Sequence, residues 1–473
     1  MLDSSVFQRM YRTAEGCLKE QNIHYRVVAE DNMLYDERGA ALGSIFSYSY
    51  FRVNEDSKER RPVIFACNGG PGSSSLMLHA GFLGARRVYY DQFPSSGGSA
   101  EGKSIDNPDS LLDGADVVLF DPVATGYGRL LDPDSTDRFF GIEEDAEATL
   151  QFVSGWLSRY QRWDCPKYLL GESYGSTRVA VMAGLAQGGS LKQAYNICFD
   201  GVILIGNTVS PSSYHKTDLK VEPSVLNFSS FAATRWYHHR PANGQALEEF
   251  VQEADNFAGR EYLWALYQGD ALQGEQRRDI ERKISYYTGV SGKYLEANSL
   301  QINHVEYLSE VLKSRGRKVS IYDSRFAVPQ YDGRGGRSDP FKDDPVLNLY
   351  EKYFRSVFEQ SICPSLGMET ERYFCASCLS VQKIWNFHTE YTPAQQLTLA
   401  MCRNEKMRTF FINGYYDLCT QSGLVRYTMR HSGLPVDRTF LKEYPSGHMI
   451  YMGEDNCRQV AGDIRNFIRG INP

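Results

Sequence analysis

The chain reads as an α/β protein: a mostly parallel sheet with helices on both faces, interrupted by a long helical insertion. Three observations predict this. Short, wholly apolar runs recur at residues 63–67, 117–120, 168–170 and 201–205, as expected of strands buried on both faces. A helical period lies between two of them, over residues 142–160. Strand-like runs then cease after about residue 209 and resume only at Thr409.

Taken in order, residues 26–51 alternate and carry turn residues, which suits opening antiparallel strands. The apolar runs 63–67 and 117–120 are central strands, with a Ser/Gly-rich loop at 95–102 between them. Ile142, Ala146, Leu150, Val153, Trp156, Leu157 and Tyr160 recur at helical spacing, and Glu143, Glu144 and Asp145 complement the helix dipole in the first turn. The run 168–170 is a strand, 177–187 a helix, and 201–205 a further strand. Residues 210–406 are polar, charged and helix-like, with a flexible link at Gly333-Arg334-Gly335-Gly336-Arg337. Strand signals return at 409–413 and 439–441. The expected organisation is a core built from 1–209 and 407–473, with 210–406 inserted as a mostly helical cap. No repeat of fixed period occurs.

Composition narrows the function classes. The 473 residues are 42% hydrophobic and 13% aromatic, enough for a sizeable core. A net charge of -7 without any basic block argues against a nucleic-acid partner. No run of about 18 apolar residues appears, so no membrane span is expected. The start, Met1-Leu2-Asp3-Ser4-Ser5, lacks the basic and apolar segments of a signal peptide. Ten cysteines in so long a chain do not imply a disulfide scaffold. Cys375-Ala376-Ser377-Cys378 is a lone C-x-x-C without a second ligand pair, so zinc is not expected, although a disulfide there or to Cys363 is open. His238-His239 has no carboxylate at metal spacing and reads as a solvated loop. Neither a metal nor a cofactor is expected.

Three motifs carry chemistry. Gly171-Glu172-Ser173-Tyr174-Gly175 is a G-x-S-x-G between a strand and a helix. Alone it is more often a chance turn. In this context it is the sharp turn that lifts a serine hydroxyl above a sheet, beside helix N–H groups suited to an oxyanion. Asn68-Gly69-Gly70-Pro71-Gly72-Ser73-Ser74-Ser75 follows a buried strand and can aim backbone N–H groups at developing negative charge. It lacks the Gly-Lys-Ser/Thr ending of a phosphate loop. Asp417 follows the strand at 409–413, and His448, in Ser446-Gly447-His448-Met449, follows the one at 439–441. Singly, these would be a turn aspartate and a loop histidine. Together with Ser173 they stand in the order Ser, Asp, His, each at a strand end, as in an α/β-hydrolase triad.

On these segments the chain resembles the serine carboxypeptidase family, an α/β-hydrolase branch. The matches are Asn68 to Ser75, Asp121-Pro122-Val123-Ala124-Thr125-Gly126-Tyr127, Gly171 to Gly175, Asn413-Gly414-Tyr415-Tyr416-Asp417 and Gly447-His448-Met449. The stretch 166–177 and Asp323-Ser324-Arg325-Phe326 look like bacterial members. The resemblance runs in order from about residue 60 to the end, dense in the core and thin in the cap. It implies Ser173 as nucleophile, His448 as base and then acid, and Asp417 as the group orienting His448. It implies Gly70 and Tyr174 N–H groups as the oxyanion hole, and Asn68, Gly69 and Glu172 as binders of a substrate's terminal carboxylate. Glu172 can donate to an anion only when protonated, which needs a raised pKa. The implied partner is a peptide or protein C-terminus, and secretion or a periplasmic location stays open.

Three departures stand out. Ala66 replaces a usual tryptophan, and Ser73 a usual disulfide cysteine. His79-Ala80-Gly81-Phe82 lies where a glutamate often completes the carboxylate network. Arg86 and Arg87, close by, could supply a bidentate partner instead, though solvated side chains are the simpler reading. Function is then release of C-terminal residues through an acyl-enzyme. An esterase or acyltransferase would prefer a blocked ester to a free C-terminal peptide. A non-catalytic binding protein would fail to react with a fluorophosphonate.

Overall fold

The computed structural model describes residues 7–53, 60–90, 103–189, 194–210, 223–241, 244–330, 341, 344–368 and 371–473. The stretches 1–5, 95–102 and 333–337 singled out above lie outside them. Strands β1 (Tyr11–Leu18), β2 (Ile23–Tyr35) and β3 (Ala41–Arg52) open the chain as an antiparallel meander. β4 (Val63–Cys67), β5 (Arg86–Val88), β6 (Ser104–Asp106), β7 (Asp116–Asp121), β8 (Arg129–Leu130), β9 (Lys167–Glu172) and β10 (Gly201–Ile205) follow. β11 (Arg317–Val319) and β12 (Ala327–Pro329) form a small hairpin, and β13 (Arg408–Gly414) and β14 (Thr439–Tyr444) close the series.

The main sheet runs β1-β2-β3-β7-β4-β9-β10-β13-β14, with β8 beside β3. Every pairing from β7 to β14 is parallel, so the fold is the expected mostly parallel α/β sheet. The wholly apolar strands have a direct cause. Alternate residues point to opposite faces, and both faces are covered. Ile64 and Ala66 join one buried cluster, Val63 and Phe65 another, and the same split recurs at Ile203 and Leu204. Helices Ile142–Arg159, Tyr174–Gly184 and Pro393–Arg403 cover the second face, and Pro345–Val357 and Glu454–Ile468 the first.

Some elements differ from expectation. β1 has no apolar run because most of it is exposed or half-buried at a sheet edge. The helix expected at 177–187 begins at Tyr174, directly after the turn, and loosens into a wider turn after Gly184, where Gly188 has φ +90°. Gly175 and Ser176 are poor helix formers, but Ser176 N donates to Ser173 O at 2.9 Å and the segment is buried. The described residues between 210 and 406 pack in two ways. Side chains from Val225 to Ile321 form their own core. Val346 to Phe374 join one face of the sheet, and Val381 to Met401 the other. Among the described residues no helix is long and apolar enough to cross a membrane.

Candidate active site

Ser173 occupies the turn between β9 and helix Tyr174–Gly184, with φ +57° and ψ −129°. A non-glycine residue in that region is strained, and the surrounding packing holds it there. Ser173 N donates to Ile205 O at 2.9 Å. The flanking glycines are required by space. A Cβ on Gly171 would stand 2.1 Å from the Gly175 carbonyl oxygen, and one on Gly175 2.7 Å from that of Cys67.

Asp417 and His448 lie after β13 and β14, on the same edge of the sheet as Ser173. His448 Nδ1 is 2.8 Å from Asp417 Oδ2. The other Asp417 oxygen accepts from the backbone N–H groups of Cys419 (2.8 Å) and Thr420 (2.9 Å), and the Thr420 hydroxyl donates to Oδ2. A carboxylate held this way accepts from Nδ1 and fixes the imidazole tautomer, leaving Nε2 for a reacting serine. His448 Nε2 is buried and without a partner. Burial opposes charging of His448, but the charge and hydrogen bond of Asp417, aided by Glu172, outweigh it and raise its pKa.

Ser173 and His448 line a cavity of about 680 Å³ together with Asn68, Gly69, Gly70, Glu172 and Tyr174. Asp417 stands behind His448. Gly69 is pressed onto the serine turn: a Cβ there would be 2.3 Å from Tyr174 N. That approach sets the Gly69-Gly70 backbone beside the first N–H of the helix. Asp121 anchors the loop, accepting from Ser75 N at 2.8 Å.

Asn68 is oriented without ambiguity. Its Oδ1 accepts from Leu78 N (2.9 Å), so its Nδ2 donates, and one bond goes to Glu172 Oε1 at 2.8 Å. The Asn68 carbonyl is held by Arg178 (2.8 Å), itself paired with Asp145 at 2.7 Å and fully buried. Glu172 is 2% exposed. Burial is the main reason its pKa is pushed up to about 7; His448, Tyr451 and Asn68 pull it down, and Asp417 adds to the rise. Below that pH it is a neutral acid able to donate a hydrogen bond.

Other expectations are corrected. Arg87 is completely buried and grips Glu454 (2.5 and 3.0 Å) and Asp109 (3.3 Å), and Arg86 pairs with Asp106 at 2.7 Å. Neither lines the cavity, because each has a nearby acid of its own. Cys375, Cys378 and Cys363 are free thiols. His238 ends helix Phe228–His238 and bonds the Ser324 carbonyl at 2.7 Å, so it is half-buried rather than in a solvated loop. Among the described residues one metal-type cluster occurs, Asp417, Cys419 and His448. Its carboxylate already accepts four hydrogen bonds, and burial keeps the Cys419 thiol protonated. That donor set does not fit a metal.

Sequence reasoning missed several supporting residues. Thr420 is one, three positions after Asp417. The β11–β12 hairpin is another: Leu418 N donates to Ile321 O (3.0 Å) and His448 N to Tyr322 O (2.7 Å). Arg325 adds a bond to Pro445 O at 3.0 Å while paired with Asp323. The Asp323-Ser324-Arg325-Phe326 motif was the available signal, but nothing local in it reveals that it braces both loops.

Comparison with known proteins gives the family and the fold. A family model described as serine carboxypeptidase matches residues 44–471. Carboxypeptidase Y homolog A of Phaeosphaeria nodorum is 26% identical over 302 residues, 59% of this chain and 48% of that protein. Serine carboxypeptidase-like 36 of Arabidopsis thaliana is 30% identical over 141 residues, 29% of this chain and 27% of that protein. The matched stretches thus span less than half the length of these curated relatives. The crystal structure of Kex1Δp, a prohormone-processing carboxypeptidase from Saccharomyces cerevisiae, aligns over 99% of this chain and 97% of its own, with TM-score 0.58 and 15% identity, a likeness of fold. The fold, the ordered motifs and the near-complete family match lead to one conclusion: the chain belongs to the serine carboxypeptidase family.

Proposed function

We propose that this protein is a serine-type carboxypeptidase that releases C-terminal residues from peptides. The observation that carries the reading is one cavity shared by Ser173, His448 with Asp417 bonded behind it, and the buried Asn68–Glu172 couple. Ser173 Oγ attacks the last peptide carbonyl as His448 Nε2 takes its proton. Gly70 and Tyr174 N–H groups receive the oxyanion, each typically worth about 10²–10³ in rate. His448 then protonates the departing amine, and an acyl-enzyme remains. Water, deprotonated by His448, attacks the ester carbon, and the proton returns to Ser173 as the acid leaves.

Recognition of the free C-terminus falls to Asn68, Gly69 and Glu172. Asn68 keeps a second Nδ2 hydrogen after bonding Glu172, and protonated Glu172 adds an O–H donor. An ionised Glu172 would repel the substrate carboxylate, so binding weakens as pH rises through about 7. The helices between residues 223 and 312 act as the cap. Their separate core reaches Leu418, next to Asp417.

The test pairs a blocked dipeptide with its C-terminal amide and its ester, alongside fluorophosphonate labelling. Labelling at Ser173 and a strong preference for the free acid are expected. Labelling with preference for the ester would shift the reading to an esterase or acyltransferase. Absence of labelling would leave a binding protein.

A further inference from the structure

The tyrosine three residues after His448 has no part in the mechanism above, yet it is among the largest fully buried side chains. Tyr451 lies flat on Phe82, with ring centroids 5.2 Å apart and planes within 1°. Its edge fills the space left at Gly81, where a Cβ would come 2.7 Å from Tyr451 Cε2. Phe82 and Gly81 thus form a slot that fixes the ring. The hydroxyl at its end faces the Glu172 carboxyl and interacts with it electrostatically. Glu172 Oε2 and Tyr451 Oη are both sealed from solvent, and neither completes a hydrogen bond. An unpaired buried oxygen is costly, so two facing each other mark a functional couple.

The geometry points to Tyr451 as a positioning residue for carboxylate recognition: its buried hydroxyl faces the unpaired oxygen of Glu172 and sets the pH range in which Glu172 binds the substrate's C-terminus. This rests on the assignment of Glu172 to that role. Because Asn68 donates to Oε1, the proton of neutral Glu172 belongs on Oε2. Tyr451 Oη is then the acceptor that faces this O–H until a substrate carboxylate arrives to take it. When Glu172 ionises, the same hydroxyl turns donor and stabilises the anion. Tyr451 does not line the cavity, so it acts through Glu172 and not on substrate.

The groups around the couple allow the titration to be read. His448 and Asp417 face Glu172 from the catalytic loops. Tyr90 and Cys457 face Tyr451 from the other side. Burial keeps Tyr90 and Cys457 protonated, the latter with its pKa pushed up to about 12. Beyond Tyr90, Arg87 and Glu454 neutralise each other. Glu172 and His448 are left to titrate across the working range.

The test is the pH profile of kcat/KM for Tyr451→Phe on a free-acid peptide and on its amide. Loss of the donor makes Glu172 harder to ionise. The alkaline limb for the acid peptide should therefore move up by about one pH unit, giving roughly fivefold higher kcat/KM than wild type at pH 8, mostly through KM. The amide profile should not move. Incorporating 3-fluorotyrosine at position 451, a stronger donor of the same shape, should move the limb down. It also serves should the phenylalanine variant fold poorly. Glu172→Gln is run in parallel. If Glu172→Gln flattens the limb and both Tyr451 changes leave it in place, the role of Tyr451 is refuted while that of Glu172 stands. If Glu172→Gln leaves the limb in place as well, Glu172 does not bind the carboxylate and both assignments fall.

Discussion

Replacing Glu172 with glutamine should separate substrate recognition from catalysis. Wild-type Glu172, with its pKa pushed up by burial to about 7, is almost wholly protonated at pH 5. At pH 8 about one molecule in eleven keeps the proton, and at pH 9 about one in a hundred. If only the neutral form accepts the terminal carboxylate, kcat/KM on acid peptides falls about tenfold at pH 8. The fall levels off once the ionised form dominates, because a misplaced charge beside an anion costs about 1–3 kcal/mol, roughly ten- to a hundredfold. Glutamine donates at every pH, so the mutant should hold its activity across this range. Amidated peptides should show no alkaline limb in either protein. Their acid limb reports His448 and should be common to both. Stability supplies an independent reading. The folded state retains a proton on Glu172 that the unfolded chain loses near the ordinary carboxyl pKa of 4.5. Between these values the native state binds more protons, so stability falls as pH rises, by roughly 3 kcal/mol in all, and is flat above about 7. The mutant lacks this loss, and the gap in Tm should widen with pH over the same window. An alkaline limb that persists in Glu172→Gln would refute the reasoning. So would a Tm gap that does not change with pH.

Further outcomes follow from the same geometry. Ser173→Ala and His448→Ala should each abolish acyl-enzyme formation, and the double mutant should be little worse than either single; additive losses in kcat would show that the two do not act as a unit. Thr420→Val removes one donor from Asp417 Oδ2, which strengthens the pull of Asp417 on the imidazolium. The acid limb of kcat should move to higher pH, and an unmoved limb would assign Thr420 to packing alone. Gly447→Ala puts a Cβ 2.5 Å from Tyr322 O and 2.6 Å from Asp323 Cβ, against the hairpin that fixes the His448 loop. kcat should fall by about a hundredfold, as for a misplacement of the order of 1 Å, with KM changing less. A fall in KM-linked binding alone would mean the hairpin positions substrate instead.

Much of the fold was legible in the chain because burial on both faces imposes continuous apolar runs, and β4, β7, β9, β10 and β13 carry them. The half-exposed edge strand β1 and the three-residue strands β11 and β12 leave no such trace. Ser173 was legible through its glycines, since a turn that tolerates no Cβ writes itself into sequence. Asp417 and His448 were legible only by order along the chain. That His448, with Asp417 bonded to it, lines one cavity with Ser173 is decided by strand order, with β9, β10, β13 and β14 side by side although some two hundred residues separate β10 from β13. Arg86 and Arg87 show the limit most plainly. They lie near the glycine-rich loop in sequence, yet Glu454, 367 residues away, claims Arg87. The raised pKa of Glu172, its oriented Asn68 and the Tyr451 hydroxyl behind it likewise come from the tertiary structure. Local pattern specifies backbone geometry, because neighbours along the chain share it. Burial and charge pairing depend on which distant segments meet, and no residue carries that in its own identity.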